Sequence, residues 1–310
     1  MRILLTVVIA LVLVGCTAGA PGASPADPEP PQTAALVSEQ AADATPTVET
    51  VPTDPSDVTA PPQPVARTAV ADDPIAPSVQ PLSALSTAAV QAADTAQARV
   101  SVTVIDLRAG IFYSFGSDES YRMASIGKVP LMLAVLGAEP TPLDRSQLAT
   151  MITWSDNDLA AALWAQVGGL STVSEVWAQA VGPDAVPTRD HWGGGETTAD
   201  AFAQLLAAIA TGETLDAMVA ADAGALLEGV APAQAWGVSA GAPAGVTMAV
   251  KNGWVEWDDS WLIHSTGYAR VVDGGPLYVI VVLTQGLHSL DDGVELIESI
   301  ATPIHQAFGA

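Results

Sequence analysis

Ser125 and Lys128, within the stretch MASIGKVPLML that begins at Met123, are three residues apart, a spacing that puts them one turn along the same face of a helix. A serine hydroxyl becomes an effective nucleophile only when a base takes its proton. Lysine can be that base if burial or a neighbouring cation lowers its pKa. Arginine cannot, because its guanidinium does not deprotonate in a protein. The difference matters in a 310-residue chain with two lysines, Lys128 and Lys251, and eight arginines. Taken alone, Ser-x-x-Lys equally describes an N-capping serine followed by a solvated lysine.

Two other short stretches carry the same kind of chemistry. Ser155-Asp156-Asn157, in TMITWSDNDLAAALW, offers a hydroxyl and an amide, although by itself it reads as an N-cap with acidic residues in the first helical turn. Lys251-Asn252-Gly253 ends the apolar run VTMAV. A lysine closing a strand, with a glycine two residues on, can admit a substrate backbone alongside; alone it reads as a strand-to-turn transition. In this order the three resemble Ser-x-x-Lys, Ser-Asp-Asn and Lys-Thr-Gly, the signature of class A β-lactamases and penicillin-binding proteins, with Asn252 replacing the threonine. The surrounding stretches RVSVTVIDLRAG, YRMASIGKVPLML, QLATMITWSDNDLAAALWAQVGG and GETTADAFAQLLAAIATGE also resemble that family, from about Ala98 to Ala307.

The resemblance implies a role for each matched residue. Ser125 is the expected nucleophile and Lys128 its general base or proton relay. Ser155 passes a proton to the leaving nitrogen, and Asn157 orients Lys128 and binds a substrate amide. Lys251 holds a substrate carboxylate and keeps Lys128 partly neutral. The backbone N–H groups of Ser125 and Trp254 form an oxyanion hole, and Asn252 and Gly253 complete the substrate-binding strand. One family feature is absent. The Glu-x-x-Leu-Asn stretch expected before Glu196-Thr197-Thr198 is replaced by VGPDAVPTRDHWGGG, where Asp184 and Asp190 are the nearest carboxylates. The expected activity is therefore acylation by β-lactams or D-Ala-type cell-wall peptides with slow release. The alternative is a catalytically feeble penicillin- or peptidoglycan-binding module of the same fold.

Positioning these residues requires one large domain, and the sequence between residues 81 and 310 can supply it. RVSVTVIDL and IFYSF alternate as strands joined through Arg108-Ala109-Gly110. An Ala- and Leu-rich helical middle runs from Ser125 to about Val230, and strand patterns return in VTMAVKNG, WLIHSTGYARVV and LYVIVVLTQ before a closing amphipathic helix over 291–308. Strands from both ends around a helical middle predict an α+β fold. It is a mainly antiparallel sheet flanked by helices, with a small all-helical subdomain. Trp254, Trp257 and Trp261 follow the third motif and are candidates to line a groove.

Residues 1–16 pair one arginine with an apolar run closed by Leu13-Val14-Gly15-Cys16. That run spans about 18 Å as a helix, short of the roughly 30 Å hydrocarbon core, so it reads as a signal peptide. Its end resembles a bacterial lipoprotein signal, which implies lipidation of Cys16, the only cysteine in the chain. Residues 17–80, rich in Pro, Ala, Thr and acidic residues, lack a periodic apolar face and read as a disordered tether. The expected location is the outer face of a bacterial cell membrane, reached through the lipid anchor alone. A net charge of −24 with no basic stripe excludes a nucleic-acid partner. The four histidines have no metal-ligand spacing, so no metal or cofactor is expected, and the protein is read as a monomer.

Overall fold

The structure, a computed structural model, describes residues 91–116, 118–183, 191–272 and 274–309. The chain divides into two units, Met1–Thr68 and Ala69–Ala310. The first, which contains the expected signal peptide, Cys16 and most of the expected tether, lies outside the described residues, as do Asp184 and Asp190.

A helix α1, described over residues 91–96, leads into β1 (Arg99–Asp106) and β2 (Ile111–Phe115). These pair antiparallel as expected, with the connecting turn closed by Gly110 at φ +65°. The chain then enters a two-residue strand β3 (Tyr121–Arg122), a 3₁₀ turn (Ala124–Gly127) and five further helices and a strand: α2 (Lys128–Gly137), α3 (Pro142–Trp154), α4 (Asn157–Val167), α5 (Leu170–Ala180), β4 (Glu196–Thr197) and α6 (Ala199–Thr211). After α7 (Ala217–Glu228), the strands β5 (Val246–Trp257), β6 (Ser260–Val271) and β7 (Pro276–Leu287) complete the sheet, and α8 (Leu290–Gly309) ends the chain. The main sheet has five strands in the order β2-β1-β7-β6-β5, antiparallel throughout. This is the expected α+β architecture.

The central strand explains its own composition. Along β7, Val279, Val281 and Leu283 face the core shared with α2, α6 and α7, whereas Tyr278, Ile280 and Val282 face α8. Side chains alternate across a strand, so an unbroken apolar run is what a strand covered on both faces requires. The helix α2 is the counterpart in the helical lobe. Nine of its ten residues are buried, Lys128 among them, as expected of a helix apolar on every side.

Three local features set the edge where the site lies. β5 is an edge strand of the sheet, and its free edge faces the 3₁₀ turn that carries Ser125. β3 pairs with β4, Tyr121 opposite Thr197, which draws the segment 191–197 against the same turn. The Met123 and Ala124 N–H groups donate to the Gly195 and Gly193 carbonyls at 2.8 and 3.0 Å, locking that segment in place.

Candidate active site

Lys128 begins α2 and is fully buried, the first cause of its unusual chemistry. Its Nζ lies 3.1 Å from Ser125 Oγ, 3.1 Å from Ser155 Oγ, 2.6 Å from the Ser155 carbonyl oxygen and 2.7 Å from Asn157 Oδ1. The carbonyl and amide oxygens only accept, so they take two N–H bonds of the amine. The remaining direction of Nζ, a lone pair or a third N–H, is left for the serine hydroxyls. A proton can therefore pass between Ser125 and Lys128 without disturbing the bonds that hold the amine in place. Burial pushes the Lys128 pKa down to about 7 against a smaller opposing effect of Asp156. The N-terminal end of the α2 dipole acts in the same direction as burial.

Ser155-Asp156-Asn157 is a joint between two helices. Ser155 caps the C-terminus of α3 in the left-handed conformation, at φ 59° and ψ 40°. Asp156 caps α4, its side chain accepting from the Leu159 N–H at 2.8 Å, and Asn157 is the first residue of α4. The capping function expected of the motif thus belongs to Asp156, which leaves the Ser155 hydroxyl free for the cleft. A non-glycine residue at positive φ is strained and persists where its surroundings hold it. Ala124, immediately before Ser125, is in the same region at φ 47°, so Ser125 and Ser155 sit beside or at a strained residue.

Lys251 is the second amine, and here the sequence expectation needs correcting. It does not end a strand: β5 continues six residues beyond it to Trp257. Its Nζ donates to Ser155 Oγ at 3.0 Å and to the Asn252 carbonyl at 2.8 Å. The Ser155 hydroxyl is therefore bracketed by two amines. Burial holds the Lys251 pKa well below that of an ordinary lysine, and the neighbouring Lys128 pushes it further down. Two ammonium groups across one hydroxyl repel in a dry site, so near neutral pH the pair carries fewer than two positive charges.

Asn252 is the clearest correction. Its side chain is buried on the other side of β5, where Nδ2 donates to the Gln234 and Trp236 carbonyls at 2.8 and 3.1 Å and Oδ1 accepts from Ser265 Oγ at 2.6 Å. Both amide protons are bound within the protein, so the Asn252 side chain anchors the segment before β5. Gly253 also has a different reason to be glycine. A Cβ there would stand 2.7 Å from the Ile126 nitrogen and 2.8 Å from the Ser125 nitrogen. It is the turn carrying Ser125 that needs the space.

Trp254 contributes through its backbone. Residues of a strand turn their N–H and C=O alternately to one neighbour and the other. The Asn252 carbonyl meets Lys251 Nζ and the Lys251 carbonyl accepts from Thr266 on β6, so the Trp254 N–H, two residues beyond Asn252, shares the free edge facing Ser125. Its indole packs beside Trp236, ring centroids 5.7 Å apart, in the cluster under α8. Trp261 joins the same cluster, and the Arg122 guanidinium lies 3.7 Å over the Trp257 ring. Trp254 and Trp261 thus share one cluster, while Trp257 packs against Arg122.

Comparison with known proteins agrees with this geometry. The model of the beta-lactamase enzyme family matches residues 144–308, just over half of the chain. The chain belongs to the beta-lactamase enzyme family. Its match spans the Ser155 and Lys251 motifs and begins after Ser125. No curated protein matches at a significant level. Solved structures similar to this beta-lactamase-family chain include a β-lactamase from Chitinophaga pinensis, 19% identical with a TM-score of 0.63, covering 72% of this chain and 99% of its own. One from Sphaerobacter thermophilus is 22% identical with a TM-score of 0.62, covering 73% and 97%. The TLA-1 extended-spectrum β-lactamase is 17% identical with a TM-score of 0.64, covering 73% and 98%. At such identities the likeness is one of fold. Fold and family together make this beta-lactamase-family protein a serine hydrolase.

Two residues packed against the site escape a reading by motif. His264, buried on β6, accepts from the Thr284 N–H through Nδ1 at 3.2 Å. Nε2 therefore carries the proton, which it donates to the Arg122 carbonyl at 2.8 Å, tying to the sheet the strand that leads into Ser125. Trp192, in the segment locked against the nucleophile turn, lays its ring 4.5 Å from Lys128 Nζ. The run DHWGGG contains that tryptophan, but nothing in its local pattern points to a lysine 64 positions earlier in the chain.

Proposed function

We propose that this protein is an exported, membrane-tethered serine hydrolase that forms an acyl-enzyme at Ser125 with β-lactams or D-Ala-type cell-wall peptides and releases it slowly. The observation that carries this reading is the unbroken path Ser125 Oγ, Lys128 Nζ, Ser155 Oγ, Lys251 Nζ, whose steps are 3.1, 3.1 and 3.0 Å. With Lys128 neutral, Ser125 Oγ attacks the amide carbonyl carbon and its proton passes to Nζ. The Ser125 and Trp254 N–H groups receive the developing oxyanion, each donor worth roughly 3–4 kcal/mol in such sites. As the C–N bond breaks, Ser155 Oγ gives its proton to the leaving nitrogen and is reprotonated by Lys128. The amine is then neutral again and the acyl group remains on Ser125. Asn157, exposed while its Oδ1 holds Lys128, has its Nδ2 left for a substrate carbonyl. Lys251 supplies positive charge for a substrate carboxylate.

Slow release follows from the lack of a Glu-x-x-Leu-Asn stretch before Glu196. The signal-like residues 1–16, with Cys16 as the lipid-bearing residue, support attachment to the outer face of the membrane. The experiment is intact-protein mass spectrometry of the full chain incubated with benzylpenicillin, alongside Ser125→Ala. A persistent adduct in the wild type that is missing from the variant is expected. Lack of an adduct with any β-lactam or D-Ala-D-Ala peptide would leave a binding module as the better description.

A further inference from the structure

We infer that Trp192 is a positioning residue that keeps water away from Lys128, so that the amine can serve acylation of Ser125 but cannot activate a water to remove the acyl group. The inference rests on the acyl-enzyme reading above and concerns its second half. Hydrolysis requires a water oxygen to bond to the ester carbon while a base takes its proton and Ser125 Oγ departs with a proton in return. The base must sit within hydrogen-bond reach of that water.

Lys128 has no room for one. Ser125 Oγ, Ser155 Oγ, the Ser155 carbonyl and Asn157 Oδ1 all lie within 3.1 Å of Nζ, and Nζ lies over the Trp192 ring, 4.5 Å from its centroid. The ring is held from several directions. The Trp192 carbonyl lies directly against Gly127, where a Cβ would collide with it. The following residue, Gly193, accepts from Ala124, and its own N–H donates to His191 Nδ1 at 3.0 Å. The His191 and Trp192 rings are 5.0 Å apart with a 30° tilt. Trp192 itself is only half-buried and packs on the core shared by α2 and α6. It therefore separates solvent from the amine in the way a plug does.

An indole over an amine can act in two opposed ways. As a cation–π partner it favours the ammonium; as a water-excluding cover it favours the neutral amine. Among the described residues, the charged groups that act on Lys128 or pair with it are Asp156 at the head of α4 and Lys251 on β5, and a change at Trp192 leaves both in place. Two substitutions separate the roles. Trp192→Ala removes both ring and cover, whereas Trp192→Leu keeps an apolar cover and removes the π face.

The test uses the full chain labelled with ¹³Cε-lysine, which gives signals from two side chains because the sequence has two lysines. The Lys128 midpoint is expected to rise by about one pH unit or more in Trp192→Ala and to remain near the wild-type value in Trp192→Leu. The lifetime of the penicillin adduct is expected to fall at least tenfold in Trp192→Ala only. A midpoint that stays put or falls in Trp192→Ala would overturn the inference, and so would an unchanged adduct lifetime. A wild type that never forms an adduct would instead overturn the Ser125 reading, and the lysine titration would still judge Trp192.

Discussion

Ser155 Oγ stands between two lysine amines, 3.1 Å from Lys128 Nζ and 3.0 Å from Lys251 Nζ, and both amines are buried. One hydroxyl thus couples a lysine on a helix to a lysine on a sheet edge. Burial lowers the pKa of both amines, that of Lys128 to about 7, and Lys128 lowers Lys251 further, so the amine beside Ser125 is neutral enough near pH 7 to accept a proton.

Replacing Lys128 with arginine keeps a positive charge and removes the base. Acylation by benzylpenicillin, followed by intact mass, is expected to slow by at least a hundredfold, in line with the loss of a general base. Survival of wild-type acylation in Lys128→Arg would contradict the role given to Lys128.

The acylation rate carries the Lys128 titration in its pH profile. Burial lowers the pKa to about 7, so the neutral base is scarce at pH 5 and its fraction grows about tenfold per pH unit up to that point. Stopped-flow or quenched acylation between pH 5 and 9 is expected to rise and then level off near pH 7. A profile still climbing at pH 9 would mean that the base has an ordinary lysine pKa.

Gly253→Ala tests why β5 carries a glycine beside the nucleophile. The added methyl would lie 2.7–2.8 Å from the Ile126 and Ser125 nitrogens, far inside van der Waals contact, so the strand edge or the turn must move. Because a small misplacement of reacting groups is costly, acylation is expected to fall about a hundredfold. Urea unfolding should show a smaller loss, within the 1–3 kcal/mol typical of overpacking.

His264 makes fold stability depend on acid. Burial lowers its pKa to about 4, with hydrogen bonding to the Arg122 and Ile263 backbone opposing. The folded-state value lies below the unfolded value near 6.5, so the neutral ring stabilises the fold above pH 6.5 and that contribution disappears as pH falls towards 4. The full amount is about 3 kcal/mol. Urea titrations at pH 7 and pH 4.5 should show a drop that is much smaller in His264→Gln; equal drops would assign the acid sensitivity to other groups.

Much of this arrangement is legible in the order of residues. The rarity of lysine singles out Lys128 and Lys251, and both reach the site. RVSVTVID and the unbroken apolar run of β7 both read correctly as strands. The β7 run reflects burial on both faces, whereas β1, also buried on both faces, alternates because its Ser101 and Thr103 hydroxyls bond the Gly116 carbonyl and Asp200. What stays hidden depends on partners distant in the chain. Asn252 reads as a substrate contact until Gln234, Trp236 and Ser265 are seen to hold its amide. Lys251 reads as a strand end because Asn252-Gly253 resembles a turn locally, yet pairing with β6 carries the strand to Trp257. His264 and Trp192 belong to no motif, since their partners, Arg122 and Lys128, are supplied by tertiary structure.

The most direct measurement is the NMR titration of the wild-type full chain labelled with ¹³Cε-lysine. The Lys128 signal, assigned by its loss in Lys128→Arg, is expected to titrate near pH 7. A Lys128 midpoint near the ordinary value of about 10.4 would mean that the amine beside Ser125 is charged at neutral pH and cannot be its base.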